Sequence, residues 1–295
     1  MRSILYIYLN NIIMNRLIIF LTLITSASIL YSQSPFPEPE EVERFYNTKT
    51  LVVLEDDMFS EYNVFIKNAV NEYWEITGHD FISEKEFDQK RKNPAYSFIV
   101  LTATRFDRDK SGAFLNFINL LLGKDVGRIE EMPEFCAVPL SIQGADDTEY
   151  SYKLGMVLRF MQAHVEHIRE DPTLKGKKYL KYYNKFIPEA LNKTILISEN
   201  DLVPELRTSE AVDKYYPHNL KIVSDDEVDE AIRNRYENTL VLHKVGPVRA
   251  EKGGLCFKML LGTDDARMYF YGEHRITERK SNGLLVNDLK RIGRF

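Results

Sequence analysis

The chain has little of what usually identifies an enzyme or a disulfide-stabilised protein. It holds two cysteines in 295 residues, too few for a disulfide framework. It contains no Gly-x-Ser-x-Gly elbow and no Gly-rich phosphate loop, so neither a common hydrolase nor a nucleotide-binding motif is predicted. A formal net charge of −5 argues against nucleic acid as a partner, which would favour a basic surface. Disorder is not expected either, because 17 tyrosines and 17 phenylalanines supply ample material for a core.

The first 32 residues have the pattern of a cleaved export signal. A basic stretch ending at Arg16 precedes an apolar run over 17–25 and then a series of small residues. The apolar pieces are each shorter than the roughly 20 residues that a spanning helix needs, so we expect no transmembrane span in the mature chain. Met1 and Met14 are alternative starts. We therefore expect an exported protein, periplasmic or extracellular, that begins at Gln33.

One stretch of the chain occurs twice. Residues 49–57 read Lys-Thr-Leu-Val-Val-Leu-Glu-Asp-Asp, and residues 193–201 read Lys-Thr-Ile-Leu-Ile-Ser-Glu-Asn-Asp. Three further pairs of blocks match in the same order: 69–74 with 211–216, 82–88 with 223–229, and 98–101 with 239–242. The offset falls only from 144 to 141 residues along these blocks. This is typical of an internal duplication with small deletions, although any two βαβ units share part of the pattern.

The repeated blocks predict an α/β fold. Apolar periodicity in the first copy predicts these elements: strand 50–54, helix 59–74, strand 79–82, helix 84–92 and strand 97–103. Ser83 and Glu86 form a capping box that opens the second helix. Elements of these lengths in this order imply two similar βαβαβ-type lobes, each with a mainly parallel sheet flanked by helices.

The same patterns divide the chain into segments. We expect a signal peptide over 1–32, an extended proline-containing tether over 33–48, a first α/β lobe over 49–170, a linker over 171–190 and a second lobe over 191–295.

The first lobe also carries an apolar insertion, residues 105–132, for which the second copy has no evident counterpart. Within it, residues 112–122 predict a helix that is apolar around most of its circumference. We expect this helix to dock a partner, either an unknown envelope protein or a second copy, through Phe114, Phe117 and Leu121. A helix packed against the edge of its own sheet is the alternative.

Acidic residues follow the first strand of each copy. The run Leu54-Glu55-Asp56-Asp57 resembles the opening of receiver domains of two-component signalling, in which such acids hold magnesium. That family phosphorylates an aspartate at the end of the third strand, where this chain has Leu101-Thr102 and Leu242-His243, so phosphotransfer is not expected. Ligands in parallel sheets do sit beyond the carboxyl ends of strands. Oxygen ligands for a small molecule or a hard cation are therefore predicted at these residues: Glu55, Asp56, Asp57, Glu199 and Asp201. Capping of the following helix by Asp57 or Ser60 is the alternative.

Three other features of the sequence bear on its chemistry. His164 and His167 lie at i and i+3 rather than at the i and i+4 of a His-Glu-x-x-His helix, so no metal site is expected. Cys136 and Cys256 are predicted on corresponding strands of the two copies, where they either form a disulfide or remain buried free thiols. The end of the chain is basic but interleaved with Glu273, Glu278 and Asp288, which predicts solvated surface, with phosphate or lipid-headgroup binding as the alternative. Its basic residues are Arg275, Arg279, Lys280, Lys290, Arg291 and Arg294. No cofactor is predicted.

The chain as a whole resembles exported α/β proteins of Bacteroidetes-type bacteria. The resemblance lies in these stretches: Tyr31-Ser32-Gln33, 49–57, Trp74-Glu75-Ile76-Thr77, and 152–162. It implies a compartment and a fold but no activity. We expect a non-catalytic envelope protein with a partner-binding or structural role. The alternative is a small-ligand-binding or cation-binding protein, or an enzyme, that uses the acidic strand ends of both lobes in one pocket.

Overall fold

The first lobe is organised around a mixed five-stranded sheet. The structure, a computed structural model, describes residues 34–57, 59–174, 179–247 and 253–294. The lobe contains α1 (Pro39–Phe45), β1 (Lys49–Leu54), α2 (Glu61–Tyr73), β2 (Gly78–Ser83), α3 (Glu84–Lys90), β3 (Tyr96–Thr104), β4 (Leu115–Leu122), β5 (Glu134–Ile142), α4 (Thr148–Ser151) and α5 (Leu154–Glu170). The strand order is β2-β1-β3-β4-β5. β1 runs parallel to β2 and β3, and β4 runs antiparallel to β3 and β5.

The second lobe repeats this arrangement. It contains α6 (Tyr179–Tyr182), α7 (Ile187–Ala190), β6 (Thr194–Ser198), α8 (Ser209–Asp213), β7 (Leu220–Val223), α9 (Asp225–Arg233), β8 (Thr239–Val245), β9 (Leu255–Gly262), β10 (Met268–Arg275) and α10 (Val286–Ile292). Its order β7-β6-β8-β9-β10, with β6 parallel to both neighbours and β9 antiparallel to both, matches the first lobe strand for strand. The predicted α/β class with two similar lobes is confirmed.

Local signals explain why the helices begin where they do. Ser83 and Glu86 form the predicted capping box of α3, and Ser224 and Glu227 form the same box at the start of α9. Both lobes lie within one compact unit that starts at Pro35, and their buried side chains form one main apolar cluster. No helix in the described ranges is long and apolar enough to cross a bilayer. The predicted signal peptide and the cut before Gln33 lie outside the described residues.

The predicted helix over 112–122 is wrong, because most of this segment is strand β4. The strand is buried on both faces, with Ile118 in the main core and Leu121 in a second cluster around Phe87 and Phe98. A strand covered on both faces is apolar at every position, and this pattern imitates a helix that is apolar all round. The segment does have a counterpart in the second lobe, since β9 occupies the same place in its sheet.

The predicted tether and linker are also packed structure. Within 33–48, α1 begins with Pro39 and buries Val42 and Phe45, and the Phe45 ring lies 4.8 Å from that of Phe135. Within 171–190, the Asn184 amide donates to the main-chain oxygen of Tyr271 and accepts from its N–H, at 3.0 and 2.7 Å. This side chain closes the free edge of β10, which would otherwise be available for strand pairing.

Candidate functional site

The acidic strand ends of the two lobes lie in different environments. Glu55, Asp56 and Asp57 are exposed to solvent, as is Glu199, whereas Asp201 is only 7% exposed. In the described parts of the chain, no three His, Cys, Asp or Glu side chains are grouped so that they could hold a metal ion. The five predicted ligands therefore do not form one cation site.

Asp201 is held by lysines from both lobes. Its Oδ2 accepts from Lys153 Nζ at 3.0 Å, and its Oδ1 lies 3.4 Å from Lys244 Nζ. Lys153 directly precedes α5 and its side chain is only 4% exposed. Burial alone would raise the pKa of Asp201, but the two lysines outweigh it and hold the pKa below the ordinary value of 3.8. The result is a buried ion pair that joins the lobes.

This ion pair lies where a ligand would be expected in the second lobe. In a sheet of this order, the crevice between β6 and β8 opens beyond their carboxyl ends. Residue Asp201 follows β6, Lys244 belongs to the end of β8, and Lys153 enters from the first lobe. A side chain of the first lobe thus occupies the crevice of the second.

His243 completes the junction beside the ion pair. Its ring is 1% exposed, and its Nε2 donates to the main-chain oxygen of Pro139 on β5 at 2.9 Å. Its Nδ1 has no hydrogen-bond partner among the described residues. Burial, followed by the charge of Lys153, lowers the pKa of His243 to about 4, so this ring is neutral near pH 7.

The first lobe has no cation at the equivalent positions of β3. Thr50 pairs with Ser97 and Thr194 with Thr239. Counting along the strands from these pairs places Leu101 and Thr102 where the second lobe has His243 and Lys244. None of Glu55, Asp56 and Asp57 forms an ion pair with a described residue, which leaves the acidic end of β1 open to solvent.

Hydrogen bonds nevertheless hold the described residues of the loop between β1 and α2, which are 55–57, 59 and 60. Asn63 donates to the main-chain oxygens of Glu55 and Asp57 at 2.9 and 3.3 Å and accepts from the Glu55 N–H at 2.9 Å. Ser60 caps α2 by accepting from the Asn63 N–H, and its hydroxyl donates to Glu55 Oε2 at 2.7 Å. The predicted capping role of Ser60 is confirmed.

The β1–α2 loop presents a bare aromatic ring. The Phe59 N–H donates to Asp57 Oδ1 at 2.9 Å, and the side chain is 88% exposed, the most of any large apolar residue in the described ranges. Phe59 and Val64 hold the N′ and N4 positions of α2, the two positions that form a hydrophobic staple in many helices. Val64 is itself 58% exposed, so the two side chains leave most of their apolar surface in water.

A second loop, residues 105–114, is hydrogen-bonded to the other lobe. Asp109 accepts from the Leu255 N–H at 3.0 Å, and the Lys110 N–H donates to the main-chain oxygen of Gly253 at 3.0 Å. Sequence inspection missed this contact, although Asp107-x-Asp109-x-Ser111-Gly112 matches the first half of an EF-hand loop. The twelfth position of such a loop would be Ile118, which is buried, and the Asp109 carboxylate is used by Ser111 and Leu255. We therefore interpret the motif as structural.

The predicted docking residues do not form one surface. Leu121 is 2% exposed inside the first lobe. Phe117 packs on Phe257 of the second lobe, with ring centroids 6.1 Å apart. Phe114 is 42% exposed, under the guanidinium of Arg105. Phe114 lies outside β4, and Phe117 and Leu121 share a face of the strand but contact different neighbours, so the three residues do not form the stripe that a helix would give them.

The histidines of α5 take part in internal hydrogen bonds. His164 is fully buried; its Nε2 donates to the main-chain oxygen of Phe135 at 3.2 Å, and its Nδ1 accepts from the Tyr183 hydroxyl at 2.5 Å. Burial lowers the pKa of His164 to about 3. His167 contacts the Tyr182 hydroxyl at 3.0 Å. Both histidines hold the connection between the lobes in place.

Of the two alternatives for the cysteines, the structure has the buried free thiols. Cys136 and Cys256 are both free and buried. They lie on β5 and β9, which are not equivalent strands, because the counterpart of β5 is β10. Burial raises the pKa of both thiols, so each behaves as a small apolar side chain.

The sequence patterns also did not predict a buried lysine. Lys258 on β9 is 1% exposed and donates to Asp288 of α10 and to His274 Nδ1. His274 in turn donates from Nε2 to the Ser281 main-chain oxygen at 2.9 Å, and burial with Lys258 lowers its pKa to about 4. The group ties α10 to the sheet of the second lobe.

Comparison with family models, with curated proteins and with solved structures finds no match for this chain.

Proposed function

We propose that this chain is an exported, non-catalytic protein of the cell envelope that binds a partner protein. The observation that carries the proposal is Phe59, whose ring is 88% exposed and whose main-chain N–H is held by Asp57. Buried aromatic anchors dominate the binding energy of protein interfaces, and an ordered anchor loses little conformational entropy on binding.

The surroundings of Phe59 indicate the charge of the partner. Four exposed carboxylates lie within seven residues of sequence and form no ion pair with a described residue: Glu55, Asp56, Asp57 and Glu61. A complementary surface carries positive charge, because like charges across an interface cost several kcal/mol and opposite charges speed association. We therefore expect a basic segment of the partner to contact this loop.

The junction between the lobes supports a binding role over the alternative of a ligand held by both acidic ends. Asp201 is engaged by Lys153 and Lys244, so the second lobe contributes no free carboxylate from this position. The junction is also tied by Arg159, which donates to the main-chain oxygens of Thr263 and Asp264 at 2.6 Å each. Because these contacts fix the two lobes to each other, we expect a partner to bind the outer surface of the protein.

Substitution of Phe59 tests the proposal. The tagged wild type, Phe59→Ser and Ile129→Ser are expressed in the producing bacterium and recovered from the envelope fraction, and co-purifying proteins are quantified. Ile129 is 37% exposed on the same lobe and serves as the matched control. We expect Phe59→Ser to lose the partner and to keep the wild-type melting temperature, since this ring buries little surface in the folded chain. N-terminal sequencing of the same material is expected to begin at Gln33.

The co-purifying partner is then isolated, and its direct binding to the purified wild type and variants is measured. Direct binding that weakens with salt and is lost in Phe59→Ser supports the proposal, because the charges around the loop are exposed to screening. Equal recovery of the partner by wild type and Phe59→Ser, or equal loss in Ile129→Ser, contradicts it.

A further inference from the structure

A cleft at the end of β10 presents two arginines to solvent. Its volume is about 390 Å³, and its lining consists of Gly253, Arg275, Ile276, Thr277, Glu278 and Arg279. It lies in the second lobe, in a part of the molecule distinct from the β1–α2 loop. The proposed binding through Phe59 does not use it.

Main-chain hydrogen bonds frame this cleft on two sides. Gly253 donates to Ile276 and Ile276 donates to Gly254, at 2.9 and 2.7 Å. Thr277 and Lys280 exchange two bonds of 2.9 and 3.2 Å, which close a tight turn around the cleft. Ile276, 1% exposed, anchors this strip of chain in the core. Hydrogen bonds therefore hold the main chain that lines the cleft in place without a ligand.

Glycine is required at one wall. Gly253 has φ +93°, and a Cβ there would lie 2.7 Å from Cβ of Lys110. The left-handed conformation and the close approach both exclude a side chain. The absence of a side chain at residue 253 keeps this side of the cleft open.

The two guanidinium groups keep an uncompensated charge. Arg275 donates from Nη2 to the main-chain oxygen of Arg108 at 2.6 Å, a neutral partner that orients the group without cancelling its charge. Arg279 forms neither a hydrogen bond nor an ion pair with a described residue. Neighbouring Arg108 differs, because Glu273 binds it through two bonds of 3.1 and 2.9 Å. Among the described lining residues, Glu278 is the single carboxylate beside two arginines, so these residues carry net positive charge.

We infer that this cleft binds a phosphate group. Guanidinium groups present N–H donors in a fork that matches phosphate oxygens, and the Thr277 hydroxyl adds a further donor at the wall. Two arginines beside one glutamate leave the described lining with a positive charge that favours an anion. The same chemistry is offered by inorganic phosphate and by the headgroup of an anionic phospholipid, and the test separates these sources.

Two probes and two variants test the site in the full mature chain. Binding of inorganic phosphate is measured by calorimetry, and binding to phosphatidylcholine vesicles, with and without phosphatidylglycerol, is measured by co-sedimentation. Arg279→Gln removes the unpaired cation with no loss of an internal contact. Arg128→Gln makes the same charge change at an exposed site of the first lobe and is the matched control.

We expect Arg279→Gln to weaken binding of the effective probe roughly tenfold, as for loss of a charged hydrogen bond, and Arg128→Gln to leave it unchanged. Arg279-dependent binding of phosphate alone identifies the free anion, and Arg279-dependent binding of the phosphatidylglycerol vesicles alone identifies the headgroup. Either result supports the site. Absence of Arg279-dependent binding to both probes overturns the inference, as does an equal loss in Arg128→Gln, which would indicate a general charge effect.

Discussion

Replacement of Asp201 by Asn should destabilise the whole protein. The change leaves Lys153, whose side chain is 4% exposed, as a buried cation without its carboxylate. Breaking a buried ion pair by removing one partner typically costs about 3 to 5 kcal/mol. Asn keeps one oxygen that can accept from a lysine, so we expect the lower end, about 3 kcal/mol of unfolding free energy. Since a domain is stable by about 5–15 kcal/mol, this is a large fraction of the total.

The assay uses the single tryptophan of the chain. Trp74 is 4% exposed in the first lobe, and its Nε1 donates to the Thr77 hydroxyl at 2.9 Å. Urea unfolding is followed by Trp74 fluorescence, which reports the first lobe, and by far-UV circular dichroism, which reports both. If the junction unites the lobes, both signals should shift to the same lower midpoint in Asp201→Asn.

Asp57→Asn is the matched control at the acidic end of the first lobe. Asp57 is exposed, and Asn can still accept from the Phe59 N–H, so we expect a change within about 0.5 kcal/mol. A cycle with Lys153→Met should give a coupling energy of about 2 kcal/mol with Asp201→Asn. An Asp201→Asn variant within about 0.5 kcal/mol of wild type, or separate midpoints for the two signals, would refute the reasoning.

Three further predictions concern the core. The free energy of unfolding should fall as pH drops from 6.5 towards 4. In the folded chain His243, beside Lys153 and Asp201, stays neutral down to a pKa of about 4, whereas in the unfolded chain it takes up the proton near 6.5. The free energy of unfolding, measured with urea across this range, should fall by up to about 1.4 kcal/mol per pH unit for each buried histidine. His243→Gln should flatten this slope. Gly155→Ala should cost about 2 kcal/mol in urea unfolding despite the better helix propensity of alanine, because the new Cβ would lie 2.3 Å from the buried ring of Tyr73. Cys136 and Cys256 should react with a thiol reagent only after unfolding, and mass spectrometry without reductant should find both reduced; prompt labelling of the native chain would contradict their burial.

Local signals were sufficient to predict the elements of the parallel half of each lobe. The Ser83 and Ser224 capping boxes act within one turn of helix, and the strand patterns around residues 50 and 194 are fixed by burial on both faces. Those features depend on residues close in sequence. The apolar pattern of 112–122 does not distinguish a strand inside a sheet from a helix that is apolar all round, because both have the same composition.

The site could not be predicted in the same way because its parts are distant in sequence. Lys153 and Asp201 are 48 residues apart, and Asp109 and Leu255 are 146 residues apart. Nothing near Asp201 indicates that it is buried while Asp57, its counterpart in the first copy, is exposed. The exposure of Phe59 is equally invisible in sequence, because a staple residue at that position is usually packed.

The most direct test of the proposed function places a photo-crosslinking amino acid at residue 59 in living cells. The same label at residue 129 is the control. We expect an envelope protein to be crosslinked at 59 and not at 129, with the attachment mapped by mass spectrometry to a basic segment. The double change Asp56→Asn with Asp57→Asn should reduce the yield. No crosslink at 59, or the same products at both positions, would contradict it.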